Sequence, residues 1–180
     1  MQTERRRENV PAAVMVLTCA VLCGLVLAGT PAPAIGDGGG GGDETRRAAG
    51  KPADPDYTAG VKAIKAGDYP TAIRSMEAVV ARDPKDADAY SWLAYATRKG
   101  GDPAKSIPIY EKALALDPKH RGAHEYIGEA YLALNNLAKA KEHLAKLDSL
   151  CFFTCSEYRD LKKAVQAYEA NGGKTPATGR

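Results

Sequence analysis

The sequence predicts an all-α fold, an alpha-alpha superhelix of tandem helix-turn-helix units. Three observations predict it. The tripeptide DPK at residues 83–85 returns at 117–119, which gives the chain an internal period. Apolar and small residues recur at helical spacing between these points. The nine Tyr, the single Trp and both Phe all fall between Tyr57 and Tyr168, so this part of the 180-residue chain holds the aromatic bulk of a core.

Residues 1–34 have the charged, apolar, small-residue order of a secretory signal peptide. Three Arg at positions 5–7 precede an apolar run over residues 10–28, and small residues follow as far as Ala34. A cut after Ala34 predicts a periplasmic or secreted protein. The run is also about as long as the roughly 20 residues of a membrane span, so an uncleaved inner-membrane anchor over residues 10–28 is the competing interpretation.

Residues 35–52 predict a flexible linker, because six Gly lie between positions 36 and 42 and no aromatic residue is present. The formal net charge of the whole chain is only +3. A nucleic-acid-binding surface would require a strong basic stripe, so that class of partner is not predicted. Contact with a membrane is predicted only through an uncleaved N-terminal segment.

The repeating part divides into units at 53–86, 87–120 and 121–152. Small residues take the same place in each unit, at Gly60, Ala94 and Gly128, where two helices approach closely. Gly or Asn ends the first helix of each pair, and Asp or Asn begins the second. A Pro ends each of the first two units, because Pro cannot continue a helix.

The segment after the last unit predicts a capping helix over residues 153–169 with Ser156 as its N-cap. Repeat arrays need such a helix, since a terminal unit must turn a polar side to water. Residues 170–180 carry small and polar side chains and predict a disordered tail.

A helix-turn-helix period of about 34 residues with these small-residue positions resembles the tetratricopeptide repeat. The resemblance covers the three units and the capping helix. It implies a concave groove, lined by the first helix of each unit, that holds a peptide. The groove positions that it implies in this chain are Asp54, Tyr57, Val61, Lys65, Asp88, Ser91, Tyr95, Arg98, Lys99, Glu125 and Glu129.

Trp92 has two interpretations. Trp is enriched at the energetic centres of interfaces, so it could anchor a partner. Alternatively, it packs on the neighbouring helix, which we favour. His124 is interpreted as an aromatic substitute packed in the core and not as a metal ligand.

Cys151 and Cys155 stand between the last unit and the capping helix. Export removes Cys19 and Cys23 with the signal peptide, and the two remaining thiols in an oxidising compartment predict a disulfide. A redox-active or metal-handling pair is the alternative. Its spacing is not that of a CxxC motif, and two Cys are too few for a closed zinc site.

The sequence contains no nucleotide-binding loop, nucleophile elbow or His-Glu zinc helix. It therefore predicts no enzyme, no cofactor and no metal. The predicted function is that of an exported adaptor that binds a protein or peptide in the cell envelope through its groove. The alternative function is redox or metal handling by the cysteine pair, and self-association of the array stays open.

Overall fold

The computed structural model describes residues 54–152 and 155–174. Over these residues it contains seven α-helices and no strand, which confirms the predicted all-α repeat superhelix. The predicted signal peptide, the linker and residues 175–180 lie outside the described residues. The helices are α1 (Pro55–Lys65), α2 (Tyr69–Arg82), α3 (Ala87–Lys99), α4 (Pro103–Leu116), α5 (Arg121–Ala133), α6 (Leu137–Leu150) and α7 (Ser156–Ala170).

Side-chain caps fix where the second helix of each pair begins. The carboxylates of Asp68 and Asp102 and the amide oxygen of Asn136 each accept a bond from the backbone N–H three residues later, at 3.0 to 3.1 Å. The preceding turn needs a left-handed residue, and Asn135 takes that conformation with φ 59° where the other two turns have Gly. In all three units, a left-handed residue in the turn is therefore followed by a side chain that caps the second helix.

Consecutive helices pack in antiparallel pairs, and two glycines allow the closest approaches. A Cβ added at Gly60 of α1 would meet Met76 Cε of α2 at 2.7 Å. A Cβ added at Gly128 of α5 would meet Leu161 Cδ2 of α7 at 2.6 Å. α7 packs against α5 and α6 and buries Leu161, Val165 and Tyr168, so it covers the end of the apolar core.

The start of α7 differs from the sequence prediction in one detail. Cys155 occupies the N-cap position and makes no side-chain capping bond, whereas the Ser156 hydroxyl contacts the Glu157 carboxylate at 3.1 Å. The sulfurs of Cys155 and Cys151 lie at bonding distance at this corner. Within the described ranges, no helix is long and apolar enough to cross a lipid bilayer.

Candidate functional site

The odd-numbered helices follow one another along the array. α3 contacts both α1 and α5, and α5 contacts α7. We call these four helices the odd-helix row. The groove positions implied by the repeat resemblance lie on this row or, for Asp54, at the cap of its first helix, so the row is where a candidate site must be sought.

An aromatic cluster lies where α3 meets α5. The ring centroids of Tyr95 and Tyr126 are 4.9 Å apart in an edge-to-face arrangement, and Trp92 lies 5.6 Å from Tyr95 and 6.2 Å from Tyr126. Trp92 is only 6% exposed, whereas both tyrosines are partly exposed. The structure therefore supports packing for Trp92, and the two tyrosines are the accessible members of the cluster.

An ion pair joins the same two helices. Arg98 Nη2 of α3 lies 2.7 Å from Glu129 Oε2 of α5, with side-chain exposures of 12% and 30%. The Arg98 guanidinium also lies 5.3 Å from the centre of the Tyr95 ring. Behind it is Tyr110 of α4, whose hydroxyl has its pKa raised by burial. A cation is thus already held between an aromatic ring and a carboxylate at this site.

Glu125 lies one helical turn before Glu129 and has no such cation. Burial, and to a lesser extent the nearby carboxylates of Glu129, Asp160 and Glu157, raise the pKa of its carboxyl to about 9, while Arg98 opposes them in part. Within the described part of the chain its side chain makes no hydrogen bond or ion pair. Glu125 therefore holds a proton at neutral pH.

The structure pairs Asp88 with a residue that the sequence analysis did not connect to it. His120 is buried at the N-cap of α5, where its Nδ1 accepts a bond from the Ala123 N–H at 3.1 Å. Its Nε2 lies 3.1 Å from Asp88 Oδ1 and must carry the ring proton, because Nδ1 is the acceptor. The repeat period indicates the capping role of His120, because it occupies the same position in its unit as Asp86, the N-cap of α3, in the unit before.

The remaining predicted groove positions differ in accessibility. Tyr57 and Val61 are buried in one cluster with Met76 and Trp92, and Ser91 is completely buried. These three side chains lie among packed helices and not on an open surface. Asp54 caps α1 and lies 2.9 Å from Arg82 Nη2, whereas Lys65 and Lys99 are exposed. Tyr95, Arg98, Glu125 and Glu129 are the predicted positions that come together.

The two cysteines come together at the corner between α6 and α7. Cys151 ends α6, Cys155 precedes α7, and their Cα atoms are 5.7 Å apart with the sulfurs at bonding distance. Phe152, between them, is 95% exposed. In the described ranges, no group of three or more His, Cys, Asp or Glu side chains is arranged to hold a metal ion.

His124 and His143 form a partly buried polar contact between α5 and α6. Their Nδ1 atoms are 2.9 Å apart, and His124 Nε2 lies 3.1 Å from the Pro118 carbonyl oxygen. The carbonyl only accepts, so His124 carries its proton on Nε2 and His143 donates from Nδ1. Burial lowers the pKa of both rings, that of His143 to about 4. His124 is a packed side chain, as predicted.

Two family models described as tetratricopeptide repeat match residues 57–120 and 98–165, together more than half of the chain. The chain belongs to the tetratricopeptide-repeat family. Proteins built from these repeats act in protein–protein interaction. A search of curated proteins found no match.

Solved structures with the same fold come from distant members of the tetratricopeptide-repeat family. The first repeat domain of human RPAP3 is 24% identical, with a TM-score of 0.58 over 65% of this chain and 92% of that one. The translocator chaperone SycD of Yersinia enterocolitica is 18% identical, with a TM-score of 0.60 over 74% and 97%. PcrH, solved with the chaperone-binding region of PopD, is 18% identical, with a TM-score of 0.58 over 65% and 90%. At these identities the likeness shows the fold.

Proposed function

We propose that this tetratricopeptide-repeat protein is a non-enzymatic adaptor that binds an extended segment of a partner protein in a concave groove along the odd-helix row. The observation that carries the proposal is the partly exposed Tyr95–Tyr126 pair beside the Arg98–Glu129 ion pair. Tyr and Arg are among the residue types most enriched at the energetic centres of protein interfaces. Here they come from two different repeats, so their arrangement depends on the assembled array.

Structural neighbours support a peptide or protein as the partner. PcrH was solved with a region of PopD, and SycD with a peptide of YopD. This chain spans about nine-tenths of their lengths, so it has enough repeats to build a binding surface of the same extent. The identity of its own partner does not follow from theirs.

The proposed setting is the cell envelope, by export through residues 1–34. An oxidising compartment favours disulfides, and we propose a structural disulfide between Cys151 and Cys155, whose sulfurs lie at bonding distance. Alkaline phosphatase, which folds only after export, should be active when fused after residue 52 in a bacterial host. Deleting residues 10–28 should abolish that activity. Equal activity of both fusions would reject the export proposal.

The groove proposal is tested by selecting peptides from a random displayed library on the full-length protein. Wild type is compared with Tyr95→Ala and with Tyr131→Ala, which removes a partly buried ring that stacks on His143 instead. Helical circular dichroism confirms that all three are folded. We expect wild type and Tyr131→Ala to enrich the same sequences and Tyr95→Ala to lose them. Enrichment that is unaffected by Tyr95→Ala rejects this groove as the binding site.

A redox role for the cysteine pair is the second candidate, since the two sulfurs are placed close enough to form and break a disulfide. A disulfide that closes so short a loop stabilises by about 2 kcal/mol on the chain-entropy model. We therefore expect Cys151→Ser to retain peptide binding with a small loss of stability. Loss of binding in that variant, with the fold intact, would favour the redox role.

A further inference from the structure

We propose that the groove selects a partner segment carrying an Arg or Lys side chain. This side chain would lie against the rings of Tyr95 and Tyr126 and pair with the carboxyl of Glu125. We call these three residues the cation slot. The inference rests on the proposed groove and adds the chemistry of its ligand. In this proposal acidic and aromatic residues of the groove bind a cationic side chain, whereas a basic groove would bind an anionic one.

The groove already holds one cation in the arrangement that the slot would use. The Arg98 guanidinium lies against the Tyr95 ring at 5.3 Å and meets Glu129 at 2.7 Å. Glu125 is four residues before Glu129 on α5, so it stands on the same face of that helix one turn away. Its neighbour Tyr126 provides a second ring, 4.9 Å from the first. Glu125 lies close enough to Tyr95 to interact with it electrostatically, so a cation supplied by a partner beside these rings would also interact with the Glu125 carboxyl.

The charges around the slot leave room for one further cation. Four acidic residues from two helices surround it, namely Glu125, Glu129, Glu157 and Asp160. Arg98 neutralises Glu129, and Arg121 Nε lies 3.5 Å from Glu157 Oε1. In the described part of the chain neither arginine forms an ion pair with Asp160 or Glu125, although Arg98 acts on Glu125 at longer range. A positive side chain from a partner would complement this excess.

The carboxyl of Glu125 is costly to ionise in the unbound chain and would gain from a ligand. Burial and the neighbouring carboxylates raise its pKa, so it is neutral until a cation is bound beside it. An Arg or Lys side chain of a partner segment would stabilise the ionised form.

The slot couples binding to proton release. Arg stays charged at all relevant pH values, whereas Glu125 must lose its proton to pair with it. The affinity should therefore rise with pH, by up to about tenfold per unit, while the pH is below the pKa of the free carboxyl. The titratable and charged groups that act on Glu125 include Glu129, Glu157, Asp160, Arg98 and Tyr95. The variant below separates its effect from theirs.

The test uses the peptide most enriched on the full-length protein and a copy in which each Arg or Lys is replaced in turn by citrulline or norleucine. Calorimetry at about pH 6 and about pH 8 gives the affinity and the number of protons released. Glu125→Gln removes the charge with little change of shape. Glu77→Gln on α2, an exposed position, is the matched control.

We expect one cationic position whose replacement weakens binding by about tenfold or more in wild type and in Glu77→Gln. In Glu125→Gln the same replacement should have little effect, and the rise of affinity with pH should disappear. A peptide that binds equally well with and without its cations overturns the cation slot while leaving the groove intact. Failure to enrich any peptide overturns the groove proposal and the slot together.

Discussion

Arg98 of α3 and Glu129 of α5 form an ion pair at 2.7 Å that joins the second and third repeats. Lys139 and Glu142 form a pair of the same length within α6, with exposures of 48% and 60%. The two pairs differ in how far water screens them. Their comparison shows what burial contributes at the centre of the odd-helix row.

Glu129→Ala should destabilise the fold more than Glu142→Ala. Removing Glu129 leaves the Arg98 charge largely buried without its carboxylate, at a cost of about 2–3 kcal/mol, somewhat below the value for a fully buried pair. Removing Glu142 should cost far less, because an exposed pair within one helix contributes little. Urea denaturation measures the free energy of unfolding of both variants. Equal losses would show that the Arg98–Glu129 pair contributes no more to stability than the exposed pair.

Gly128→Ala should destabilise the protein by about 1–2 kcal/mol, because overpacking against a buried side chain outweighs the modest gain in helix propensity of α5. The new Cβ would lie 2.6 Å from Cδ2 of the buried Leu161. In a Leu161→Ala background the methyl group has room, so the same change should be neutral or slightly stabilising. Thermal unfolding of the four proteins measures this coupling. Additive effects would mean that α7 does not pack on Gly128.

His120→Ala should cost more than His120→Asn, by about 1 kcal/mol, because Asn can still cap α5 through its side-chain oxygen. Both variants lose the Nε2 contact with Asp88, so the difference isolates the capping bond from Ala123 N–H to Nδ1. Urea denaturation compares the two. Equal stability would mean that the capping bond contributes nothing.

The partly buried pair of His124 and His143 should make stability depend on pH. Burial lowers the pKa of His143 to about 4, below the value of about 6.5 in the unfolded chain. The unfolded state therefore binds more protons between these values, and stability should fall as the pH drops from about 6.5 towards about 4. Glu125, with its raised pKa, acts in the opposite direction over part of this range.

His143→Gln separates the two effects, because Gln keeps a donor towards His124 and does not titrate. The stability of wild type relative to that of His143→Gln should decrease as the pH falls, since the Glu125 contribution is common to both. Parallel curves between about pH 6.5 and about pH 4 would contradict a neutral, buried His143.

The repeat array could be predicted from sequence because its signals are local and recur. Asp68, Asp102 and Asn136 occupy one position of the repeat period, and each caps a helix in the structure. Gly60 and Gly128 occupy another, and both allow close helix contacts. Such positions recur from unit to unit, so the period makes them visible.

The chemistry of the odd-helix row could be predicted only in part. Tyr95, Arg98 and Glu129 were placed together through the resemblance to the repeat family, but Ser91 and Tyr57 of the same set are buried. The raised pKa of Glu125 depends in part on Glu157 and Asp160. Both belong to α7, which is separated from α5 by the whole of α6 in the sequence. No repeat period relates a capping helix to the units before it. Contacts of that kind require the folded chain.

The central claim is that the odd-helix row binds a peptide, and amide chemical-shift mapping tests it most directly. The isotope-labelled full-length protein is titrated with the enriched peptide, and the shifts are compared along the chain. We predict that the largest changes fall on α3 and α5, at Tyr95, Glu125, Tyr126 and Glu129. Changes confined to α2, α4 and α6 would contradict the account.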